Sequence, residues 1–147
     1  MNDQTETENG GVGILVVEDS PTQAEELQYI LEQNGYQVSR ATNGKKALEA
    51  MNKRKPTIVV SDIMMPEMDG YQLCRRIKED KQLQDVPVIF LTALSAPMDV
   101  VKGLECGADN FITKPYEENY LLSCIQCILI NGEVRKSRKN AEEWSKP

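Results

Sequence analysis

The stretch Ile58-Val59-Val60-Ser61-Asp62 decides the fold, because a short apolar, mostly β-branched run ends there in a single carboxylate. Three further apolar runs also end at polar residues: residues 14–17 precede Glu18-Asp19, residues 88–91 precede Thr92, and residues 111–113 precede Lys114. Short apolar runs separated by helical segments are typical of buried parallel strands. Ligands of an open parallel sheet bind outside the carboxyl ends of its strands, so we expect these polar side chains to lie together. The sequence therefore predicts a small acidic pocket with a single cation, which suits metal and phosphate chemistry.

Composition narrows the possible functions. The chain has 147 residues, 40% of them hydrophobic and 27% charged, which is ordinary for one globular domain with a real core. Its formal net charge is −6 and it has no broad basic region, so we expect no nucleic acid bound by this domain. No apolar run approaches the length of a membrane span and no signal peptide precedes the first strand, so we expect no membrane partner and a cytoplasmic location. The absence of histidine excludes Ser-His and Cys-His catalysis.

Periodicity and turn signals predict five strands that alternate with five helices. The strands are expected at about residues 14–17, 36–41, 58–61, 88–91 and 110–112. The fourth helix is expected to bury Val100, Val101 and Leu104. The alternation predicts an α/β fold with three α/β/α layers, built on a doubly wound, flavodoxin-like parallel sheet of five strands in the order 2-1-3-4-5. That order brings the ends of the first and third strands together.

The two ends of the chain differ from its centre. Residues 1–11 are polar, acidic and without periodicity, so we expect a disordered N-terminal tail. Residues 12–131 form the predicted domain, whose last helix is expected over about residues 117–130 and to end at Asn131-Gly132. Residues 132–147 are rich in Lys and Arg, which indicates either a loose charged tail or a linker toward something outside this chain.

The four cysteines are expected to be reduced, because no secretion signal is present. They are Cys74, Cys106, Cys124 and Cys127. The last two form a C-x-x-C, a spacing found in redox-active and metal-binding sites. A structural interpretation is favoured, because the pair lies inside an apolar helical stretch and neither a histidine nor a second C-x-x-C completes a zinc site.

The predicted pocket holds three carboxylates, from Glu18, Asp19 and Asp62, whose mutual repulsion a divalent cation would relieve. Oxygen ligands favour Mg²⁺, Ca²⁺ or Mn²⁺ over zinc, and Mg²⁺ typically takes one or two carboxylates with waters and a phosphate oxygen. We therefore expect Mg²⁺, with Mn²⁺ as the alternative. Asp19 and Asp62 would be direct ligands, Glu18 would act through water, and the backbone carbonyl of Met64 would complete the set.

Asp62 is the best candidate for a nucleophile on a phosphoryl group, because it stands alone at the end of the central strand. Lys114 and the metal would cover the phosphoryl oxygens, and the Thr92 hydroxyl would donate to one of them. Each residue taken singly has a structural interpretation, since an Asp often caps a turn and a Lys-Pro pair is often only a turn. The joint pattern, with each side-chain type after its own strand, favours a functional site.

The chain resembles the response-regulator receiver domain, the phosphoacceptor module of two-component signalling, over about residues 13–131. The matching segments are residues 14–20 (ILVVEDS), 61–70 (SDIMMPEMDG), 91–93 (LTA) and 107–115 (GADNFITKP). The resemblance implies that Asp62 accepts a phosphoryl group from a histidine kinase or a histidine phosphotransfer protein. It also implies Mg²⁺ at Glu18, Asp19 and Asp62, phosphoryl sensing by Thr92 and Lys114, and a cis peptide bond before Pro115.

The resemblance further implies an output surface on the fourth helix, fifth strand and fifth helix, which would act on a downstream output domain or protein. Phe111 matches the family's aromatic switch position, where many relatives carry tyrosine. A partly buried strand aromatic is the structural interpretation of the same residue, and both stay open. The same face is a candidate for a homodimer contact, whereas the apolar side of the last helix is equally suited to pack on the sheet.

Two alternatives stay open. A metal-dependent phosphatase or phosphotransferase would use a similar pocket, but Met64 stands where an Asp-x-Asp would need its second acid, and no insertion is long enough for a cap over a substrate. We therefore expect a phosphoacceptor regulator that catalyses its own phosphorylation and dephosphorylation, not an enzyme with a separate substrate. The other alternative concerns how much of a protein this chain represents. It is either a stand-alone receiver that acts by protein contact, or a fragment of a longer regulator or hybrid kinase.

Overall fold

The computed structural model describes the backbone of residues 11–145 and the side chains of residues 11–132. The predicted disordered tail, residues 1–11, lies outside the described residues except for Gly11. Within them, five strands alternate with five helices. The strands are β1 (Gly13–Val17), β2 (Gln37–Ala41), β3 (Ile58–Ser61), β4 (Val88–Thr92) and β5 (Asn110–Thr113), and the helices are α1 (Pro21–Gln33), α2 (Gly44–Lys53), α3 (Gly70–Glu79), α4 (Pro97–Glu105) and α5 (Glu118–Ser145).

The strands form one parallel sheet in the order β2-β1-β3-β4-β5. This order, with the five helices, confirms the predicted doubly wound, flavodoxin-like α/β fold. The register aligns the strand ends, because Val17 pairs with Ser61 and Thr92 pairs with Thr113. Glu18 and Asp62 are therefore the first residues after two neighbouring strands, and Lys114 is the first residue after β5.

The three middle strands, β1, β3 and β4, are almost entirely buried, as their continuous β-branched runs predict. Leu15, Val59 and Phe90 pack in one cluster with Met51 of α2 and Leu73 of α3. Each fully buried side chain of this size stabilises the fold by about 1.5–3 kcal/mol. This burial fixes the strands, and so it also fixes the polar residues that follow them.

Local hydrogen bonds start the helices beside the strand ends. Ser20 accepts a hydrogen bond from the backbone N–H of Gln23, with Pro21 at the first position of α1. At the start of α3, the Gln72 N–H donates to Asp69 Oδ1 at 2.8 Å, and Gln72 Oε1 accepts from the Asp69 N–H at 3.0 Å. This reciprocal capping box closes the loop that follows Asp62.

The predicted apolar face of α4 is only partly right. Val100 is half-buried, whereas Val101 and Leu104 are 43% and 58% exposed, and the buried residue of α4 is Gly103. A glycine carries no hydrophobic signal, so the periodicity of the valines and leucine indicated a face rotated away from the one that packs.

The missing side chain at Gly103 lets α4 approach two aromatic rings. A Cβ on Gly103 would lie 3.0 Å from the Phe111 ring and 3.2 Å from the Phe90 ring.

The predicted end of the last helix at Asn131-Gly132 is also wrong, because α5 continues to Ser145. A glycine inside a helix costs only about 1 kcal/mol relative to alanine, and most of the residues that follow are good helix formers such as Glu, Lys, Arg and Ala. The domain boundary at residue 131 stays a prediction. The chain divides after Pro115 into two compact units, and α5 belongs to the second. Among the described residues, no helix is both long and apolar enough to cross a membrane.

Candidate functional site

Four strand ends deliver the predicted site residues to one edge of the sheet. Backbone hydrogen bonds continue the strand pairing past the strands themselves. The Asp62 N–H donates to the Val17 carbonyl at 3.0 Å, and the Lys114 N–H donates to the Thr92 carbonyl at 2.7 Å. These bonds hold the backbone on both sides of the site, so its side chains start from fixed positions.

Lys114 is the centre of the site. Its Nζ donates to Glu18 Oε1 at 2.8 Å and to Asp62 Oδ2 at 2.9 Å, and it also donates to Gln23 Oε1. The side chains of Lys114, Glu18 and Asp62 are only 18%, 7% and 11% exposed. A buried and a partly buried carboxylate thus converge on one ammonium group, as the predicted acidic pocket with a single cation requires. The Lys114–Pro115 peptide bond is cis, as the family resemblance implied.

Gln23 is the member of this contact that sequence reasoning missed. It lies in the first turn of α1, and its backbone N–H is the group that the Ser20 cap holds. The capping signal at Ser20-Pro21 places this turn immediately after Glu18-Asp19 in the chain. That proximity was the available sign that a polar side chain from α1 would reach the pocket.

The two carboxylate oxygens of Asp62 have different partners. Oδ1 accepts hydrogen bonds from the backbone N–H groups of Ile63, at 2.6 Å, and Met64, at 3.3 Å. Oδ2 faces Lys114. Thr92 is fully buried, and its hydroxyl accepts a hydrogen bond from the Leu94 N–H at 3.4 Å and helps to lower the pKa of the Asp62 carboxyl group. The backbone therefore orients Asp62 through one oxygen, while the other oxygen faces the side chains of the pocket.

The surroundings of these groups set their charges. Burial raises the pKa of Glu18, and the hydrogen bond from Lys114 only partly opposes this effect. Burial would also raise the pKa of Asp62, but hydrogen bonds from Lys114 and Thr92 outweigh it and hold that pKa below its ordinary value. Burial tends to lower the pKa of Lys114, yet its bonds to Glu18 and Asp62 prevail and raise it. Asp62 is therefore ionised and Lys114 protonated at neutral pH.

The predicted metal ligands are only partly brought together. Glu18 and Asp62 share the Lys114 contact, whereas Asp19 is exposed. In the part of the chain that the structure describes, no group of three or more Asp, Glu, His or Cys side chains is arranged to hold a metal ion. Mg²⁺ needs only one or two carboxylates beside waters and phosphate oxygens, so the chemistry of the two-carboxylate pair fits this ion. The ligand set with Asp19 and the Met64 carbonyl stays a prediction.

Phe111, the predicted switch residue, lies half-buried on β5. Its ring meets the Phe90 ring edge to face, with the centroids 6.2 Å apart and an interplanar angle of 77°. Phe90 in turn contacts Tyr71, whose hydroxyl donates to the Asp99 carbonyl of α4 at 3.1 Å. These contacts connect β4, β5, α3 and α4 through aromatic rings. The partly buried strand aromatic is observed, and the switch role stays a prediction.

The four cysteines are all free thiols. Cys74 is buried in the core, where its Sγ donates to the Cys106 carbonyl at 3.3 Å. Burial raises the pKa of Cys74 to about 12, so this thiol stays protonated and unreactive at neutral pH. Cys124 is buried and Cys127 is exposed, both within α5 and away from any helix start. This position agrees with the structural interpretation of the C-x-x-C.

Gly70 supports the loop that follows Asp62, and replacing it tests how tightly that loop is built. A Cβ at this position would lie 2.4 Å from the Asp62 carbonyl oxygen and 2.7 Å from Ile63 Cα. Both are backbone atoms, so no change of side-chain rotamer can relieve the clash. We expect Gly70→Ala to lower the free energy of unfolding by roughly 1–3 kcal/mol in urea titrations. Gly13→Ala is the control, because a Cβ there would meet nothing within 4 Å. Equal stability of the two variants would contradict this account of the loop.

Comparisons with known proteins agree with this geometry. A family model described as the response regulator receiver domain matches residues 14–126. The alkaline phosphatase synthesis transcriptional regulatory protein PhoP of Bacillus subtilis is 37% identical over 121 residues, which are 82% of this chain and 50% of PhoP. The chain thus spans about half the length of this curated relative.

Solved structures show the same likeness. The receiver domain of a signal transduction histidine kinase from Syntrophus aciditrophicus is 50% identical, with a TM-score of 0.78 over 82% of this chain and 92% of that one. The BeF3-activated N-terminal receiver domain of RstA from Klebsiella pneumoniae is 31% identical, with a TM-score of 0.75 over 80% and 97% of the two chains. With the family model covering most of the chain and its fold shared by these domains, the chain belongs to the response regulator receiver domain family.

Proposed function

We propose that this receiver is a phosphorylation-operated signalling switch in which Asp62 is the phosphoacceptor. The observation that carries the proposal is the convergence of Asp62, Thr92 and Lys114 from the ends of three strands. Asp62 is held ionised, its Oδ2 contacts the Lys114 ammonium group, and the Thr92 hydroxyl helps to lower its pKa. This is the environment that a carboxylate nucleophile and a phosphoryl acceptor site require.

In the proposed reaction, Asp62 Oδ2 attacks the phosphorus of a phosphohistidine on a histidine kinase or a histidine phosphotransfer protein. The new P–O bond forms as the P–N bond breaks, and the electron pair leaves with the donor imidazole. Lys114 would then follow the developing phosphoryl oxygens as a compact point charge, and the Thr92 hydroxyl would donate to one of them. Oδ1 stays bound to the Ile63 and Met64 N–H groups, so the nucleophile keeps its orientation.

Mg²⁺, or Mn²⁺ in its place, would bind at Glu18, Asp19, Asp62 and the Met64 carbonyl. When bound, it would supply positive charge that neutralises the phosphoryl oxygens during transfer. The Glu18 and Asp62 carboxylates would hold it; both already carry their charge next to a cation, the Lys114 ammonium group. The regulator would in this way catalyse its own phosphorylation and dephosphorylation without acting on a separate substrate.

The output proposed here uses the surface around α4 and β5, with α5 as the resemblance implies. Met98, Val101 and Leu104 of α4 are 65%, 43% and 58% exposed, which is unusual for large apolar side chains on one helix. Thr92 and Phe111 would relay the phosphoryl state to this face, which would bind a downstream output domain or protein, or form a homodimer. Curated relatives about twice as long are transcriptional regulators, which supports an output partner. The cytoplasmic location stays a prediction.

The experiment that tests the proposal is the intact mass of the chain after incubation with Mg²⁺ and a small acyl phosphate. We expect a gain of one phosphoryl group, which disappears when a chelator replaces Mg²⁺. Peptide mapping of the product should place the group on the peptide that contains Asp62. No gain from either the acyl phosphate or a phosphohistidine donor would contradict the proposal, and so would a gain that maps to another residue.

A further inference from the structure

One side of α5 is exposed among the described residues and carries an unusual set of side chains. Over the first half of this helix, Tyr120, Ser123, Cys127 and Ile130 form the middle of the exposed arc. Tyr120 is 54% and Ile130 58% exposed, whereas Leu121 and Ile125 on the opposite side are fully buried. Two large apolar side chains are therefore exposed on one side of α5.

These exposed positions follow a heptad repeat that runs past the predicted domain boundary. The spacing from Tyr120 to Ile130 alternates between three and four residues, which assigns them to positions a, d, a and d. The same spacing continues at Val134, Ser137, Ala141 and Trp144, and the α5 backbone is helical through Ser145. Six of these eight positions are apolar and the other two are serines. We call this row of a and d positions, from Tyr120 to Trp144, the seam; it covers about three and a half heptads.

The remaining helical positions change character at Gly132. Before it, the b, c and f positions of the heptad hold only apolar residues: Leu121, Leu122, Ile125, Ile128 and Leu129. After it, the same positions hold only charged residues: Arg135, Lys136, Lys139, Glu142 and Glu143. Past Gly132, the a and d positions are therefore the ones that keep apolar residues. A helix with this pattern buries apolar surface by pairing along that seam.

The flanking charges indicate which partner fits. In a parallel pair, a g residue meets the e residue five positions later on the other helix. Glu133 occupies g and Arg138 the corresponding e, so two copies in register would form this ion pair twice. The neighbouring g–e combinations, Gln126 with Asn131 and Asn140 with Ser145, carry no charge. Parallel self-pairing thus brings opposite charges together and no like charges.

We propose that α5 forms a parallel, two-stranded coiled coil with α5 of a second copy of this chain, along residues 120–144. The contact needs no phosphoryl group, so it stands or falls independently of the proposed role of Asp62. It also differs from the homodimer considered for the α4–β5 surface, because its seam extends along α5 beyond residue 132. A dimer of this kind would hold two receivers side by side and align whatever follows them.

Sedimentation equilibrium of the full chain tests the proposal through four variants. Ile130→Lys and Ala141→Lys each put a charge into the seam, one before and one after Gly132, and each should weaken dimerisation at least tenfold. Glu143→Gln makes the same change in net charge as Ala141→Lys at a c position, and it should leave the dimer intact. Val101→Lys on α4 should also leave it intact. Circular dichroism and urea unfolding confirm that each variant is folded.

Several outcomes would overturn the proposal. A native chain that sediments as a monomer at all concentrations leaves no dimer to explain. A dimer that Val101→Lys abolishes and Ala141→Lys preserves belongs to α4 instead. Cys127 checks the direction of pairing, because position a faces its counterpart only in a parallel pair in register. Mild oxidation should then give a disulfide-linked dimer that Cys127→Ser abolishes, and a non-covalent dimer without this cross-link would contradict parallel pairing.

Discussion

Asp62→Asn is expected to abolish phosphoryl uptake from an acyl phosphate, so its intact mass stays unchanged under conditions that phosphorylate the native chain. The amide has nearly the shape of the carboxylate, but its oxygen is neutral and a much weaker nucleophile. The substitution also removes the negative charge that Lys114 contacts at 2.9 Å, so both the nucleophile and its electrostatic partner are lost. Intact mass spectrometry at matched times measures the effect directly.

The matched control for this prediction is Asp69→Asn, seven residues further along the same loop. Asp69 caps α3 through its side-chain oxygen, and asparagine is an equally good N-cap, so the helix start should survive. This variant should gain one phosphoryl group as the native chain does. Phosphorylation of Asp62→Asn at the native rate would place the acceptor elsewhere, and loss of uptake in both variants would point to the loop and not to Asp62.

Lys114→Met is expected to destabilise the chain strongly at neutral pH. It would leave the Glu18 and Asp62 carboxylates, 7% and 11% exposed, without the cation that both contact. Removing one partner of a buried ion pair typically costs about 3–5 kcal/mol. Urea unfolding at neutral pH measures the loss. Lys55→Met is the control, because the Lys55–Asp85 pair is exposed at 47% and 71% and should matter by less than about 1 kcal/mol.

The pH dependence of Lys114→Met follows from the pKa directions. Asp62 has a pKa below its ordinary value, so its ionised form contributes stability above that value, and this contribution is lost as pH falls through the folded-state pKa. Without Lys114, this contribution is absent, and burial, aided by repulsion between the two carboxylates, raises the pKa values of Glu18 and Asp62. The free energies of unfolding of the native chain and of Lys114→Met should therefore differ most near neutral pH. They should converge as the pH falls and both carboxyl groups take up protons. A difference that is the same at every pH would indicate lost packing only.

The strands and the polar residues at their ends were predictable from sequence, because a strand that is buried on both faces needs a continuous run of apolar residues. A run such as Ile58-Val59-Val60 has few alternatives to a central parallel strand. Once four such runs were recognised, the topology rule placed Asp62, Thr92 and Lys114 together without any knowledge of their contacts. The geometry then agreed, since the strand ends are aligned by register.

The features that sequence did not reveal depend on contacts that produce no recognisable pattern of apolar residues. Gly103 is the buried residue of α4, yet a glycine has no hydropathy from which a packing face can be read. Gln23 joins Lys114 through a long polar side chain that is equally suited to face solvent. Gly132 suggested a helix end, but the sum of favourable propensities after it outweighed the cost of one glycine. Asp19 is exposed, and its predicted role as a metal ligand stays a prediction.

The sparse burial of α4 has an energetic consequence for signal transmission. A helix that buries several large side chains must give up several kcal/mol to shift, whereas α4 buries Gly103 and leaves Val101 and Leu104 exposed. Little apolar burial therefore opposes a shift of α4, so we expect a small difference in free energy at the pocket to change its position. Gly103 packs beside the Phe90 and Phe111 rings, so such a shift would change these aromatic contacts first.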